Sequence, residues 1–336
     1  MNIIHINKKQ AINNLRFFQS FEKKITVMIK ANAYGRGISE IVEILKDEDV
    51  KLGVATIDEA KDLRKIWHKE ILIVEPVSDF SQLEDFQFVV DSIEGLKTAQ
   101  FLGLNKNCYL KINIGMNRFG ISLNDRKLLK KIAKIEKKEQ IRGILTHFPS
   151  LEKEEETKRQ YKNFLKIRKI FGDLNLSISF GGTDCYKYDF ACDEHRVGIG
   201  FYGYGMDNVK PIMSLESQII KIFELKKGER LGYDGAFEAK YNMKIGIVGI
   251  GYGDGIDKKL TGAKVKINDS YCEILGKICM DCFFVDLTNA KAKVGEVATI
   301  FDDASYFAEY LNTIPYEILT RCTSVRGKRK VECGKN

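Results

Sequence analysis

The sequence predicts an α/β protein, with an N-terminal (β/α)8 barrel of the TIM type followed by a C-terminal, mostly-β domain. Three observations carry this. Up to about residue 205, short apolar runs alternate with longer amphipathic stretches. After about residue 212, apolar/polar alternation takes over. The length, 336 residues, suits two domains, divided here as 1–211 and 212–336. A doubly wound open sheet remains the alternative for the first part, because a strand count separates the two only weakly.

The first part offers eight strand candidates: Ile25–Ile29, Lys51–Ala55, Ile71–Val74, Gln87–Val90, Cys108–Ile112, Ile141–Thr146, Leu176–Phe180 and Arg196–Tyr202. Each is short and mostly β-branched or aromatic, as strands buried on both faces are. Between them, Leu128, Leu129, Ile132 and Ile135 recur at helical spacing among lysines. Tyr161, Phe164, Ile167, Ile170 and Phe171 do the same. In the second part Lys264–Ile267, Tyr271–Ile278 and Phe283–Leu287 alternate, and turns such as Gly-Tyr-Asp-Gly at 232–235 punctuate them.

Composition narrows the function. Hydrophobic residues make up 44% and charged ones 30%, which excludes a disordered or collagen-like chain. No apolar run approaches the ~18 residues of a membrane span. The start, MNIIHINKKQ, lacks the basic-then-apolar pattern of a secretory signal. The expected location is the cytoplasm, with the eight cysteines as free thiols. The net charge of +8 comes from lysines such as Lys130, Lys131 and Lys134, which read as a solvated helix face. Basic residues are not interleaved with aromatics, so no nucleic-acid partner is expected. Cys279-x-x-Cys282 and Cys192-x-x-His195 are isolated pairs, so no metal is expected either.

Lys30 closes the first strand, in Val27-Met28-Ile29-Lys30-Ala31-Asn32-Ala33-Tyr34-Gly35-Arg36-Gly37. The C-terminal ends of barrel strands line the active site. Partial desolvation there favours the neutral amine that attacks aldehydes. The alternative is a lysine that merely snorkels out of a strand end. The string Lys30–Gly37 (KANAYGRG) resembles the pyridoxal-phosphate lysine motif of the alanine racemases, with Arg36 where His is usual. The resemblance continues in further blocks over nearly the whole chain. It implies that Lys30 carries pyridoxal 5'-phosphate (PLP) as a Schiff base. It also implies that the freed amine is a base at the substrate Cα and that Tyr34 contacts the cofactor phosphate.

Arg118 ends the stretch Lys111-Ile112-Asn113-Ile114-Gly115-Met116-Asn117-Arg118. A guanidinium beyond the fifth strand is a ready partner for a substrate carboxylate. The resemblance places Arg118 near that carboxylate and near the cofactor hydroxyl. It makes Lys111 the lysine, often carbamylated in the family, that orients the arginine; Asn113 stands where Asp is usual. His147, in Thr146-His147-Phe148, follows the sixth strand. A lone His is more often structural, but the matching family block implies an imidazole packed on the pyridine ring.

Gly181-Gly182-Thr183 and Arg196-Val197-Gly198-Ile199-Gly200 put glycines and a hydroxyl at the last two strands, where barrels commonly bind phosphate. By resemblance Thr183 takes the place of a phosphate-binding Ser, and Gly182 replaces Asn. The amides of Gly198 and Ile199 would complete the cradle. Arg196 matches the arginine that faces the pyridine nitrogen. Being permanently protonated, it can donate to that nitrogen while discouraging the nitrogen from taking a proton. The cofactor then becomes a weaker electron sink, which favours reprotonation of Cα over transamination.

Racemisation is simplest with one acid/base on each face of the substrate. Tyr233 resembles the tyrosine of a family Tyr-Gly block, with Asp234 in place of Gly. Its phenol, ordinarily near ~10, must titrate lower to serve as a base at neutral pH. Ile250–Gly255, Gly276–Asp281 and Ile314–Glu317 resemble three further blocks. They imply that Tyr316 reaches the phosphate and that the Met280 amide helps bind substrate carboxylate. They also imply that Tyr233, Tyr252, Met280 and Asp281 reach into the partner's barrel in a head-to-tail homodimer. The expected activity interconverts L- and D-alanine for peptidoglycan; a broad-specificity or serine racemase is the alternative. A non-catalytic PLP-homeostasis protein would lack the β domain. A basic-amino-acid decarboxylase would set a carboxylate, not Arg196, at the pyridine nitrogen.

Overall fold

The computed structural model describes residues 1–136, 140–149, 153–172, 174–188 and 190–333. Contacts divide the chain into two compact units. The first comprises Asn13–Lys30 and Leu45–Val209; the second comprises Met1–Ile12, Ala31–Ile44 and Lys210–Asn336.

The first unit is a closed barrel of eight parallel strands. In chain order they are Lys24–Met28, Lys51–Val54, Ile71–Pro76, Gln87–Val90, Cys108–Asn113, Gly143–His147, Ser177–Gly181 and Glu194–Val197. The eighth pairs back on the first, with Arg196 beside Thr26. The predicted barrel is therefore the one observed, and the open sheet is not. Amphipathic helices follow the strands. Glu154–Phe171 carries three glutamates in its first turn and Arg168 and Lys169 in its last, which complements the helix dipole, and buries Phe164, Ile167 and Phe171.

The eighth strand differs from its prediction. It starts at Glu194, two residues before Arg196, and stops at Val197. The glycines that follow turn the chain, with the Phe201 amide donating to the Gly198 carbonyl at 3.1 Å and Gly203 to Gly200 at 3.0 Å.

The second unit is an antiparallel closed sheet of six strands: Met213–Leu225, Met243–Val248, Phe283–Asp286, Ser270–Leu275, Lys264–Ile267 and Val297–Phe301. Two strands extend it. Asn2–Asn7 lies antiparallel to Met213–Leu225, and Gly327–Glu332 lies parallel to Asn2–Asn7. Among the described residues no helix is long and apolar enough to cross a membrane.

Candidate active site

The first strand delivers Lys30, half-buried, to the C-terminal end of the barrel. The chain then makes an unusual turn. Ala31, Asn32, Ala33 and Tyr34 all have φ of 52–53°, a left-handed run without a glycine. Each such residue costs roughly 1–2 kcal/mol. The turn is held by the Gly35 amide on the Ala31 carbonyl at 3.1 Å, Gly37 on Asn32 at 3.0 Å, and the Ile38 amide on the Asn32 side chain at 2.9 Å. Strain of this kind gathers at functional sites. Tyr34 is buried, with its ring 5.9 Å from that of Tyr316. Arg36 is buried too and donates to the Tyr34 carbonyl at 2.8 Å.

At this end of the barrel the charges of Lys30, Arg118 and Arg196 all act on both Lys111 and His147. Burial, and then the charges of Arg196, Arg118 and Lys30, push the Lys111 amine down to about 7. Lys111 donates to the Val74 carbonyl at 3.2 Å. His147 shows part of its surface, yet loss of water followed by the same cations and Lys111 pushes it down to about 3. Its imidazole is neutral at physiological pH. Gly181 lies close to the side chains of Arg196 and His147: a Cβ there would collide with Arg196 Nη2 and with His147 Nδ1.

Arg118 is exposed on the loop after the fifth strand, its guanidinium 5.6 Å from the Phe119 ring centroid. Asn113 shapes that loop. Its Oδ1 accepts from the amides of Gly115 at 3.0 Å and Asn117 at 3.1 Å. A carboxylate would accept both just as well, so the Asp-to-Asn departure keeps the loop while removing a negative charge. Gly182 has φ 121°, a conformation suited to glycine rather than asparagine. The side chain of Thr183 lies outside the described part. Gly198 and Ile199 open the turn after the eighth strand, their carbonyls accepting from Phe201 and Tyr204.

Arg196 is buried. Its Nη1 donates to the Ser179 hydroxyl at 2.7 Å and its Nη2 to the Thr146 carbonyl. Ser179 and Thr26 hydroxyls in turn donate to Glu194, each at 2.9 Å, and Lys51 Nζ lies 2.6 Å from the same carboxylate. Sequence reading missed Glu194, Ser179 and Lys51. Glu194 shares the inward face with Arg196 by the two-residue period of a strand, but a strand begun at Arg196 leaves it outside.

In the second unit, Tyr233, Tyr252 and Met280 are 65%, 40% and 51% exposed. Asp234 has φ 59°, so the family's glycine is replaced by a residue type that tolerates the left-handed region, and it pairs with Lys277. The turn at Tyr252 and the segment at Met280 are joined by the amides of Tyr252 on Cys279 at 3.0 Å and Gly253 on Met280 at 2.9 Å. Arg326, also missed from sequence, clamps the two. It donates to buried Asp254 through Nε at 3.0 Å and Nη2 at 2.9 Å, and its Nη1 lies 2.8 Å from Asp281.

Among known proteins, the family model described as "Alanine racemase, N-terminal domain" matches residues 6–205, and "Alanine racemase, C-terminal domain" matches 212–331. The chain belongs to the alanine racemase family. An alanine racemase of Borreliella burgdorferi (strain ZS7) is 31% identical over 94% of this chain and 93% of its own. The alanine racemase structure from Acinetobacter baumannii superposes with a TM-score of 0.88 at 25% identity, covering 99% of both chains. The alanine racemase from Bartonella henselae, solved with covalently bound pyridoxal phosphate, has the same fold, with a TM-score of 0.87 at 24% identity over 98% of this chain and 99% of that one.

The barrel site suits PLP by its charge. Lys30, Arg118 and Arg196 all act on Lys111, opposed by Asp91. Such an excess of cations calls for an anionic ligand.

Proposed function

We propose that this chain is a PLP-dependent alanine racemase that interconverts L- and D-alanine with Lys30 and a Tyr233 phenol as its two bases. The observation that carries the reading is the cluster of cations around the half-buried Lys30, with neutral His147 beside it. In this reading residues 1–211 supply Lys30 and most of the cofactor contacts, and residues 212–336 bring Tyr316, the Met280 amide and the second base.

PLP, when bound, draws electron density from the substrate Cα and so makes its hydrogen acidic. Lys30 Nζ takes or returns that proton on one face. Arg118 and the Met280 amide hold the carboxylate, which fixes which face Cα presents. His147, uncharged, covers the pyridine ring without competing for its charge. Tyr34, Thr183, Tyr316 and the amides of Gly198 and Ile199 hold the phosphate. Arg196 donates to the ring nitrogen. Lys111, near 7, has a ready supply of the neutral amine. It can take up carbon dioxide as a carbamate, releasing one proton, and that anion would pair with Arg118.

The Tyr233 phenol acts on the opposite face, and it comes from a second copy. The exposure of Tyr233, Tyr252 and Met280 supports a homodimer in which these side chains, with Asp281, are covered by a partner. The product D-alanine suits peptidoglycan synthesis in the cytoplasm.

The test is racemisation of a panel of small L-amino acids, followed by absorbance. L-Alanine should turn over fastest, and the visible band of lysine-bound PLP should be lost in Lys30→Ala. Faster turnover of L-serine would assign a serine racemase instead. Sedimentation of the PLP-loaded protein as a monomer would remove the shared second base.

A further inference from the structure

The inside of a parallel barrel is normally filled by branched apolar side chains. Here Thr26, Lys51, Ser179, Glu194 and Arg196 are all buried and joined in one line of hydrogen bonds. The strand register explains how they meet. Glu194 and Arg196 alternate onto one face of the eighth strand, Ser179 stands beside Glu194 on the seventh, and Thr26 stands beside Arg196 on the first and Lys51 on the second.

The line has a direction. A guanidinium can only donate and a carboxylate can only accept. The Ser179 hydroxyl therefore accepts from Arg196 and gives its hydrogen to Glu194, and its rotor is fixed. Thr26 donates to the same Glu194 oxygen as Ser179, and Lys51 donates to the other. Among the described residues the direct partners of Arg196 are both neutral, the Ser179 hydroxyl and the Thr146 carbonyl. These can aim a guanidinium but cannot balance its charge. Burial lowers Arg196 to about 10, and Glu194 is the largest influence favouring its charged form. A buried ion pair such as Lys51–Glu194 is often no more stabilising than apolar residues of the same volume. Its presence two residues from Arg196 calls for another reason.

The geometry points to Glu194 and Ser179 as positioning residues for racemisation: the Lys51–Glu194 pair, acting through the Ser179 hydroxyl, aims Arg196 and supplies its counter-charge. This rests on the reading above, in which Arg196 faces the cofactor ring. None of the three touches substrate or cofactor; they act through Arg196.

Three variants of the PLP-loaded enzyme test it: Glu194→Gln, Ser179→Ala, and the double variant Glu194→Gln with Lys51→Met. The double removes the ammonium that Glu194→Gln alone leaves unpaired. One readout is the visible circular dichroism of bound PLP without substrate. The other is pyruvate formed per D-alanine during turnover of L-alanine. Pyruvate reports the side reaction in which alanine passes its amino group to PLP, giving pyruvate and pyridoxamine phosphate. The expected result is an altered dichroism and a pyruvate ratio raised about tenfold or more in all three. The double should also regain the thermal stability that Glu194→Gln loses. If the line only fills the core, the double returns both readouts to their original values and Ser179→Ala leaves them unmoved; either result overturns the proposal. Ser179→Ala, which deletes one oxygen, decides alone where Glu194→Gln does not fold. Failure of the functional reading itself is distinguishable, because Lys30→Ala would then leave the PLP band in place.

Discussion

Arg196 lies inside the barrel unit with a hydroxyl and a carbonyl as direct partners, whereas Arg326 lies on the rim of the β unit between two carboxylates. Their environments push them opposite ways. Burial draws Arg196 down to about 10, while the hydrogen bonds it donates to Asp254 and Asp281 hold Arg326 above its ordinary value. The buried guanidinium keeps its carboxylate at one remove, so it is aimed without being neutralised and can still answer a ligand. The exposed one spends its charge on structure, tying the Tyr252 turn to the Met280 segment.

Removing a partner from each region should separate these roles. Glu194→Ala leaves Lys51 buried and unpaired and should cost about 3–5 kcal/mol in chemical denaturation. A loss below ~1 kcal/mol would show that water reaches the pair and relieves it. Tyr233→Phe keeps the ring and deletes one oxygen, so stability should stay within ~0.5 kcal/mol. Its racemisation should fall about 100-fold or more, through kcat. Arg326→Ala should lower stability by less than Glu194→Ala does, through the charged hydrogen bonds lost at Asp254. Its main effect should be a raised KM for alanine, as the Met280 segment loosens; an unchanged KM would make the clamp purely structural.

Acid should distinguish the two units as well. His147 is neutral in the fold down to about 3, while an unfolded chain takes its proton near ~6.5. Between those values the unfolded state binds more protons, so stability falls as pH drops below ~6.5. Burial pushes the Asp254 carboxyl up, but the donors Arg326 and Gly251 outweigh it and hold the carboxyl below its ordinary value. Its contribution is fully present above ~4 and is lost below that. Hydrogen exchange read segment by segment should therefore show barrel strands losing protection at higher pH than the strands of the β unit. His195 on the eighth strand, pushed down to about 4 chiefly by burial, acts in the same window, so His147→Phe should remove only part of the early loss.

Sequence legibility also differed between the regions. Short β-branched runs marked all eight barrel strands within a few residues, because strands buried on both faces have little freedom in composition. The two-residue displacement of the last strand was enough to hide Glu194, and with it the support of Arg196. Asn2–Asn7 offered no such cue: its partners Met213–Leu225 and Gly327–Glu332 lie at the far end of the chain. Arg326 was equally hidden, since Asp254 is 72 positions away. The departures from family pattern became intelligible only with backbone angles in hand: Asp234 occupies a left-handed position, and the Asn113 oxygen does the accepting work of a carboxylate.

The left-handed turn at Ala31–Tyr34 bears on how this protein would respond to selection for heat resistance. Glycine at Ala31 or Ala33 would relax the backbone by about 1 kcal/mol, less the entropy that glycine adds to the unfolded chain. A screen for thermal survival alone would be drawn toward those codons, and the survivors would carry a looser joint directly after Lys30. Resistance to heat and catalytic speed should then part company at a single pair of alanines.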